Sequence, residues 1–472
     1  MSLIVLLLLP AGGAAAVAWL DGVARRRVHL VVAALTLATA AVTAVQVATA
    51  GPVTALGGVL RADALSALMA CLIALVGGIA ALEAAREASA WRWYLPLFHV
   101  FVLTMLGAVV TDDVGLMWVA IEGTTLASVF LVNADRSRES LEAAYKYLLL
   151  CSVGIALAFV GTVLIYFADV RALGADSALR WTALRGVAPA LPARLVEVAF
   201  VFVLVGYGTK AGLAPMHTWL PDAHSEAPAP VSALMSGVLL AVGLYAVVRF
   251  KVVVDLAAGA EFSSRLLQAV GLASVGVAAL FLWAPANFKR MLAYSSIEHL
   301  GLVCLGLGFG GVWGLGGAVL HVANHALAKS SLFVLAGRIR GAYGSASIDA
   351  VRGLRGAMPL TSRAFVAAML ALMGLPPFGL FVSEIMILRA GFDAGHVTVA
   401  ALALALVVLA FGGLLRALHR MLDGAAPDEV REASTWGSMA PIALALALLV
   451  ATGLAWPKPV ATALAGIVAV MN

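Results

Sequence analysis

The sequence predicts an all-α polytopic membrane protein of about 14 transmembrane helices. Hydrophobic residues make up 63% of the 472 residues and charged residues only 12%, and the mean hydropathy is +1.03. Apolar blocks of about 18 to 25 residues recur along the chain, and each is long enough, at about 1.5 Å per residue, to cross a hydrocarbon core of roughly 30 Å. The stretches between the blocks are short, so no separate soluble domain is expected.

The apolar blocks, taken in order, give the predicted spans. The first block is not followed by a small-residue cleavage site and a soluble domain, so we expect a retained helix and not a removed signal peptide. The spans are expected at residues 2–20, 28–49, 63–82, 94–111, 114–133, 145–168, 195–214, 228–250, 266–284, 290–310, 313–337, 362–388, 397–417 and 437–455.

Two of the predicted spans contain helix-breaking residues. Span seven runs into Gly212 and Pro215, and span twelve carries Pro376 and Pro377 in mid-membrane. Proline removes a backbone donor and clashes with the preceding turn, so each helix should break there. Broken helices at corresponding positions predict two inverted five-helix repeats. The expected division is three N-terminal helices (1–93), a first repeat of spans four to eight (94–250), a second repeat of spans nine to thirteen (251–420) and a C-terminal part with span fourteen (421–472).

The distribution of positive charge predicts the orientation. The chain has 30 Lys and Arg against 25 Asp and Glu. One set of alternate loops holds 18 of the basic residues and the opposite set holds 10. The positive-inside rule therefore places the 338–363 loop in the cytoplasm and both termini on the outer side of the membrane. No basic stretch is interleaved with aromatic residues on a soluble surface, so we expect no nucleic-acid partner.

We expect neither a cofactor nor a metal ion to be bound by this chain. Cys71, Cys151 and Cys304 all lie in predicted spans without CxxC spacing, which argues against disulfides, iron–sulfur clusters and zinc sites. His217 and His224 lie seven residues apart in a proline-rich loop that we place near the membrane surface, where they serve as secondary candidates or as solvated or capping groups. That loop does not present a ligand face.

Very few ionisable residues lie inside the predicted spans. A charged side chain at the bilayer centre costs about 2.5 kcal/mol or more, so each one needs a partner, water or a function. We expect most of them to relay protons, although pairing between helices is the simpler alternative for each, and a neutral His299 could be satisfied by a helix carbonyl. The relay candidates are Glu122, Lys210, His321, His325, Lys329 and Glu384, and the secondary candidates are Glu298 and His299.

His321, His325 and Lys329 follow one another at spacings of four. On a helix they form one polar stripe about 12 Å long. Histidine titrates near pH 6.5, and a desolvated lysine can lose several pKa units, so such a row can pass a proton. We therefore interpret this stripe as part of a proton relay.

Four long segments and one short one carry a family resemblance, namely RADALSALM (61–69), residues 206–237, 288–306 and 321–337, and GLPPFGLFVSEIMIL (374–388). They resemble the antiporter-like subunits of respiratory complex I. That family also includes subunits of multisubunit cation/proton antiporters and of membrane-bound [NiFe] hydrogenases. YSSIEH at 294–299, EAAYKYLLLCSVG at 142–154 and ALMSG at 233–237 are most similar to the hydrogenase-4 or formate hydrogenlyase type.

The resemblance implies a fourteen-helix fold with two inverted half-channels and a hydrophilic axis in mid-membrane. It implies that Glu122 modulates Lys210 and that Lys329 leads towards an outlet at Glu384, with the histidines between them as connections. It also implies partners, namely other membrane subunits and a peripheral redox arm whose subunits carry iron–sulfur clusters and either a NiFe centre or flavin. The expected location is a bacterial or archaeal cytoplasmic (inner) membrane.

One departure from the family pattern concerns span eight. Many relatives carry a lysine or histidine there, whereas residues 231–248 contain no ionisable side chain. The central relay must therefore use water, or it is interrupted. The preferred function is a proton-translocating subunit of a redox-driven complex, hydrogenase-4-like or NADH:quinone oxidoreductase-like. The alternatives are a cation/proton antiporter subunit without a redox partner and a membrane anchor that does not move ions.

Overall fold

A computed structural model describes residues 1–87, 91–173, 179–455 and 458–471. The first half of the chain is helical except for one short antiparallel hairpin, in which Val53–Ala55 (β1) pairs with Leu60–Ala62 (β2). The helices of this half are α1 (Ser2–Trp19), α2 (Gly22–Ala50), α3 (Ala64–Glu87), α4 (Tyr94–Val110), α5 (Val114–Val132), α6 (Arg138–Leu173), α7 (Trp181–Val187) and α8 (Ala193–Lys210).

The second half of the chain is also helical in the part that the structure describes. Helix α10 continues into α11 through one π-helical turn at Met235–Leu239. The helices are α9 (Trp219–Glu226), α10 (Ala229–Leu234), α11 (Leu240–Ala258), α12 (Ala260–Leu282), α13 (Phe288–Phe309), α14 (Gly311–Tyr343), α15 (Leu354–Ala357), α16 (Pro359–Leu372), α17 (Gly379–Asp393), α18 (Val397–Leu422), α19 (Trp436–Leu454) and α20 (Lys458–Met471).

The predicted fold class is confirmed, and each of the fourteen predicted spans coincides with a helix or, for spans eight and twelve, with two helices in sequence. Within the described residues, eleven helical stretches are long and apolar enough to cross a membrane, and three apolar helices are shorter. The exact number of crossings therefore stays a prediction. The apolar pattern gives no sign of α7, α9, α15, α20 or the β-hairpin, which are too short to appear as apolar blocks.

Both predicted helix breaks are present and share one local pattern. Helix α8 ends at Lys210 and α16 ends at Leu372. Each is followed by a glycine with positive φ, Gly212 at 72° and Gly374 at 64°. A proline comes two or three residues later and cannot continue a helix, so the chain leaves the helical path at both places. The breaks expose backbone groups at the points where Lys210 and Glu384 lie.

The chain forms two compact units. The first comprises Met1–Gly212, Val238–Leu266 and Ala465–Asn472, and the second comprises Leu213–Gly237 and Leu267–Leu464. In the second unit, nearly all residues of α13 and α14 are buried, whereas less than a third of the apolar core of α18 and of α19 is buried. Buried helices can carry polar side chains that a lipid-facing helix cannot, and α13 and α14 hold most of the buried ionisable groups of this unit. The predicted four-part division of the chain stays a prediction.

Candidate proton-relay site

In the first unit, Lys210 is fully buried and bound to hydroxyl groups. It is the last residue of α8, and none of its surface is exposed. Its Nζ donates to Thr125 Oγ1 at 2.9 Å and to the Tyr147 hydroxyl at 2.7 Å. Tyr147 in turn lies 2.7 Å from Ser128 Oγ. Thus a row of hydroxyls begins at the ammonium group.

Glu122 reaches Lys210 only through an intermediate. Thr125 donates to Glu122 Oε2 at 3.2 Å, and Ser152 donates to Glu122 Oε1 at 3.2 Å. Because Thr125 also accepts from Lys210, its hydroxyl connects the carboxylate with the ammonium group. The predicted neighbourhood of Glu122 and Lys210 is therefore present, with a threonine between them.

Close packing of α6 against α8 holds the Tyr147 side of this cluster. A Cβ at Gly206 would clash with the backbone and the Cβ of Ala158, and a Cβ at Gly154 would lie 2.6 Å from Thr209 Cβ. These glycines let the two helix backbones approach closely, as in other tightly packed membrane helices. The approach brings Tyr147 on α6 within hydrogen-bond distance of Lys210 on α8.

In the second unit, Lys329 is the counterpart of Lys210. It is fully buried on α14, and its Nζ donates to the Leu292 carbonyl at 2.6 Å and to Ser295 Oγ. Glu298 lies on the same face of α13, because residues 292, 295 and 298 are three apart, and it interacts electrostatically with Lys329. Glu298 Oε2 is buried and has no hydrogen-bond partner among the described residues.

The three members of the predicted stripe on α14 do not bond to one another. The His321 Nε2 lies 2.9 Å from His299 Nδ1 on α13, and the ring of His325 lies 5.4 Å from that of His299. Lys329 also turns towards α13. The stripe is therefore present on α14, but the contacts run through α13. His299, a secondary candidate in the sequence, occupies the centre of the cluster.

Ser383 fixes the tautomer of His321. The Ser383 hydroxyl donates to the Leu380 carbonyl at 2.9 Å, so it accepts from His321 Nδ1 at 2.9 Å. With its proton on Nδ1, a neutral His321 presents a lone pair at Nε2 to His299. The two rings therefore share one hydrogen between Nδ1 of His299 and Nε2 of His321.

Glu384 lies next to this histidine pair, one turn beyond the break between α16 and α17. It is 8% exposed. One oxygen of Glu384 and one nitrogen each of His299 and His321 all lie within 4.8 Å of one another. A Cβ at Gly374 would clash with the Glu384 carboxylate. The glycine at the helix break thus leaves the room that the carboxylate occupies.

The expectation of one loop that holds both His217 and His224 is wrong for His224, and both side chains are buried, so neither is a solvated group. His224 lies on α9, is fully buried and stacks on Phe333 with ring centroids 4.8 Å apart. His217 lies just before α9 and is also buried. The local sequence misled because its prolines suggested a loop, whereas Pro221 is accommodated in the first turn of a short helix, where its missing N–H costs little.

Lys289 is a further buried lysine, which lies just outside predicted span ten. It is the second residue of α13 and is 1% exposed. Its Nζ donates to the carbonyls of Ser225 at 2.9 Å and of Ala227 at 2.7 Å, at the C-terminal end of α9. A cation at that end satisfies free carbonyls and favours the helix dipole, so this lysine has a structural role.

Two further buried polar pairs lie in the first unit and were not predicted. His29 on α2 and His99 on α4 are buried, with Nδ1 of the first 2.9 Å from Nε2 of the second. Arg249 on α11 forms two hydrogen bonds to the Asp63 carboxylate, at 2.7 and 2.8 Å. The helical period gives no sign of either pair, because each joins helices that are far apart in sequence.

The gap in span eight is occupied by serine hydroxyls in the second unit. Ser236 lies in the π-helical turn, is fully buried and bonds to Ser296 on α13 at 2.8 Å. π-Turns within helices occur often at functional positions. A hydroxyl that can both donate and accept thus lies in a span whose residues 231–248 contain no ionisable group other than Tyr245.

The fold and the buried polar groups define an antiporter-like membrane subunit. The chain belongs to the family of NADH:quinone oxidoreductase/Mrp antiporter transmembrane proteins, whose model matches residues 111–410. That match covers Glu122, Lys210, the histidines of α13 and α14, Lys329 and Glu384.

The chain is similar to a hydrogenase-4 component F homolog of Methylacidiphilum infernorum, at 41% identity over 71% of this chain and 70% of that protein. It is 36% identical to NADH-quinone oxidoreductase subunit N of Desulforudis audaxviator, over 64% of this chain and 59% of that protein. Among solved structures, it resembles a chain of the membrane-bound sulfane sulfur reductase, an archaeal respiratory membrane complex, with a TM-score of 0.89 and 28% identity over 99% of this chain and 97% of that one.

These matches confirm the family that the sequence motifs predicted, including the similarity to hydrogenase-4 components. The chain is a multi-pass membrane protein of this family. The relatives are subunits of multisubunit membrane complexes, which agrees with the predicted membrane partners. The orientation of the termini stays a prediction.

Proposed function

We propose that this chain transfers protons across the membrane as a subunit of a redox-driven complex of the hydrogenase-4 or NADH:quinone oxidoreductase kind. The observation that carries the proposal is the environment of its two central lysines. Lys210 and Lys329 are fully buried, and within the described residues neither forms an ion pair with a carboxylate.

A lysine that served only to hold helices together would be better paired, by a carboxylate or, as Lys289 is, by two carbonyls at the C-terminal end of a helix. Burying an ammonium group in the membrane costs about 2.5 kcal/mol or more, and a neighbouring carboxylate is the usual compensation. Hydroxyls and a carbonyl stabilise the charged form less, so the free energies of the charged and neutral lysine are closer together. Such a lysine can release and regain a proton, which is the property that a relay needs.

The contacts suggest a role for each group. In the first unit, Glu122 sets the charge state of Lys210 through Thr125. In the second unit, Lys329 stores a proton, His325 and the His299–His321 pair pass it on, and Glu384 exchanges it at the helix break. Histidine pairs and hydroxyls suit this transfer because each can donate at one atom and accept at another.

The energy for transfer comes from partner subunits in this proposal. The relatives are components of redox complexes, and we infer that a peripheral arm carries iron–sulfur clusters together with a NiFe or flavin centre. Cys71, Cys151 and Cys304 of this chain are free thiols on different helices. We place the complex in a bacterial or archaeal cytoplasmic membrane, with both termini of this chain outside.

A cation/proton antiporter is the second candidate function, because the family includes the Mrp antiporters. The two candidate functions differ in what drives proton movement across the membrane. In an antiporter, proton movement requires a counter-ion such as Na⁺ and continues without an electron donor, whereas in a redox-driven subunit it follows electron transfer.

The test is to reconstitute the purified complex in vesicles and measure proton uptake against electron transfer. Lys210→Met and Lys329→Met should each abolish most proton uptake in an assembled complex. Lys289→Met is the matched control, because Lys289 is equally buried but holds backbone carbonyls. It should lower stability and leave the proton-to-electron ratio unchanged. Normal proton uptake in both Lys210→Met and Lys329→Met would refute the proposal.

A further inference from the structure

We propose that His299, His321 and Glu384 form a binding site for one divalent transition-metal ion of the Zn²⁺ class. The three side chains come from α13, α14 and α17, and all three are buried. One donor atom from each lies within 4.8 Å of the other two. This proposal departs from the expectation that the chain has no metal site, because the three residues are far apart in sequence and only the fold brings them together.

The set of two imidazole nitrogens and one carboxylate oxygen fits a small metal ion that is intermediate between hard and soft. Zn²⁺ in proteins takes imidazole nitrogens and carboxylate oxygens in tetrahedral arrangements, and two histidines with one glutamate leave a fourth position open. Two nitrogens bound to one such ion are separated by about 3.3 Å, since each Zn–N bond is about 2.0–2.1 Å. His299 Nδ1 and His321 Nε2 are 2.9 Å apart, so the rings need to separate by about 0.4 Å and to turn so that both lone pairs face the ion.

The surroundings of His321 are those of a metal ligand. Its Nδ1 donates to Ser383, whose own hydrogen is directed to the Leu380 carbonyl. Histidine ligands usually donate their second ring nitrogen to such a partner, which fixes the tautomer and aims the lone pair of the other nitrogen. Here that lone pair, on Nε2, faces His299 Nδ1, the second nitrogen of the proposed ligand set.

The proton balance of binding can be written from these contacts. The ion takes the lone pair of His321 Nε2. The hydrogen on His299 Nδ1 moves to Nε2 of the same ring, so that Nδ1 becomes a ligand and the imidazole stays neutral. Glu384 binds as a carboxylate and releases a proton if it carried one. Binding should therefore weaken as pH falls, because protons compete for the same atoms.

The His29–His99 pair of the first unit shows what a comparable site without a third ligand looks like. Its two ring nitrogens are also 2.9 Å apart, and both residues are buried. The other nitrogen of His29 faces the Ala81 carbonyl at 3.2 Å. Among the described residues, only His299, His321 and Glu384 form a group of three possible ligands. Thus the His29–His99 pair is a matched negative control.

An ion at this site would occupy the histidine pair and the exchange carboxylate together. This consequence rests on the proposed function: the bound ion would stop proton transfer through the second unit, so Zn²⁺ would act as an inhibitor. Binding itself does not depend on that function and is measured separately.

The experiment titrates Zn²⁺ into the purified complex against a chelating dye, for the wild type, His321→Gln, Glu384→Gln and His99→Gln. The difference between wild type and variant removes ions held by partner subunits. We expect His321→Gln and Glu384→Gln each to weaken one Zn²⁺ site by at least about 10-fold at neutral pH, and His99→Gln to leave it unchanged.

Gel filtration establishes that each variant complex is intact, and Glu384→Gln, which keeps the shape of the side chain, gives a reading if His321→Gln does not assemble. Equal Zn²⁺ affinity in the wild type, His321→Gln and Glu384→Gln would overturn the proposal, as would loss of the site in His99→Gln alone. Zn²⁺ binding that persists in a complex with no proton transfer would refute the proposed function and leave the metal site standing.

Discussion

Glu122 and Lys210 bind the same hydroxyl group, that of Thr125, which donates to the Glu122 carboxylate and accepts from the Lys210 ammonium group. Both bonds use one oxygen atom, so any change in the position or charge of Glu122 alters the acceptor that Lys210 faces. The coupling that the family resemblance implied thus has a specific intermediate, and that intermediate can be removed without touching either charged residue.

Thr125→Val should weaken the coupling between Glu122 and Lys210. Valine has the same shape but leaves Lys210 with one hydroxyl partner, Tyr147. Losing a hydrogen bond of about 1 to 1.5 kcal/mol corresponds to roughly a 10-fold lower rate of proton uptake at unchanged electron transfer. Thr125→Ser restores the hydroxyl and should restore the rate. Equal rates of proton uptake in Thr125→Val and Thr125→Ser would show that the Thr125 hydroxyl takes no part in the coupling between Glu122 and Lys210.

Lys329→Met tests whether the second lysine carries a transferable proton. Methionine keeps the length and apolar packing of the side chain and removes the cost of burying a cation, so thermal stability should hold or rise while proton uptake falls. Lys329→Arg keeps the charge but holds its proton too tightly for turnover. A purely structural Lys329 gives the reverse result, in which Met harms assembly and Arg is tolerated.

Arg249→Met should destabilise the first unit strongly. It leaves the Asp63 carboxylate, 2% exposed, without the guanidinium that now binds both of its oxygens. Removing one partner of a buried ion pair costs about 3 to 5 kcal/mol. The double variant Asp63→Leu with Arg249→Met removes both charges and should recover much of that loss in a thermal-unfolding measurement. No recovery in the double variant would mean that the guanidinium contributes mainly by packing.

Glu432 should make stability depend on pH. It lies in the loop before α19, and its carboxylate accepts from the N–H groups of Leu360 and Thr361 at 2.9 and 3.0 Å, in the first turn of α16. Burial alone would raise the pKa of Glu432, but these backbone bonds, together with bonds from the Thr361 hydroxyl and from Ser434, lower the pKa below its ordinary value. The contribution of the Glu432 carboxylate to the free energy of unfolding is therefore complete above the unfolded pKa of about 4.3. It is lost as pH falls through the lower pKa of the folded state.

Glu432→Gln should accordingly lower the free energy of unfolding by about 1 kcal/mol at pH 7, as other helix-capping changes do. The difference from the wild type should shrink below about pH 4. The measurement is thermal unfolding of both proteins across pH 3 to 7. A difference that is constant over this range would show that the charge of Glu432 does not matter.

A reporter fused after Asn472 should lie outside the cytoplasm. The expectation rests on the excess of basic residues in one set of loops, 18 against 10. Helix α20 has 14 residues, about 21 Å of helix, which is shorter than a hydrocarbon core of roughly 30 Å. Helix α20 should therefore not cross the membrane, and the C-terminus should stay on the outer side. A cytoplasmic reporter in a folded protein would mean that α20 crosses the membrane or that the polarity is inverted.

From the sequence we could predict the all-α membrane fold, the positions of the long helices, the two helix breaks and most of the candidate relay residues. These follow from local physics: apolar blocks of membrane length form helices, proline ends them, and an ionisable residue in such a block is conspicuous because its burial is costly. Lys210, Lys329 and Glu384 could be selected on that basis alone.

Which polar groups touch one another depends on how helices distant in sequence pack in the folded protein. His299 bonds to His321 from another helix, Thr125 links Glu122 to Lys210, and Arg249 binds a carboxylate 186 positions earlier in the sequence. Helical periodicity places residues on a face but does not say which face of which helix lies opposite. Serine and threonine hydroxyls also give no signal in an apolar span, because they are cheap to bury when they bond to their own helix. Packing of distant helices therefore turns a set of isolated polar residues into connected proton-accepting rows.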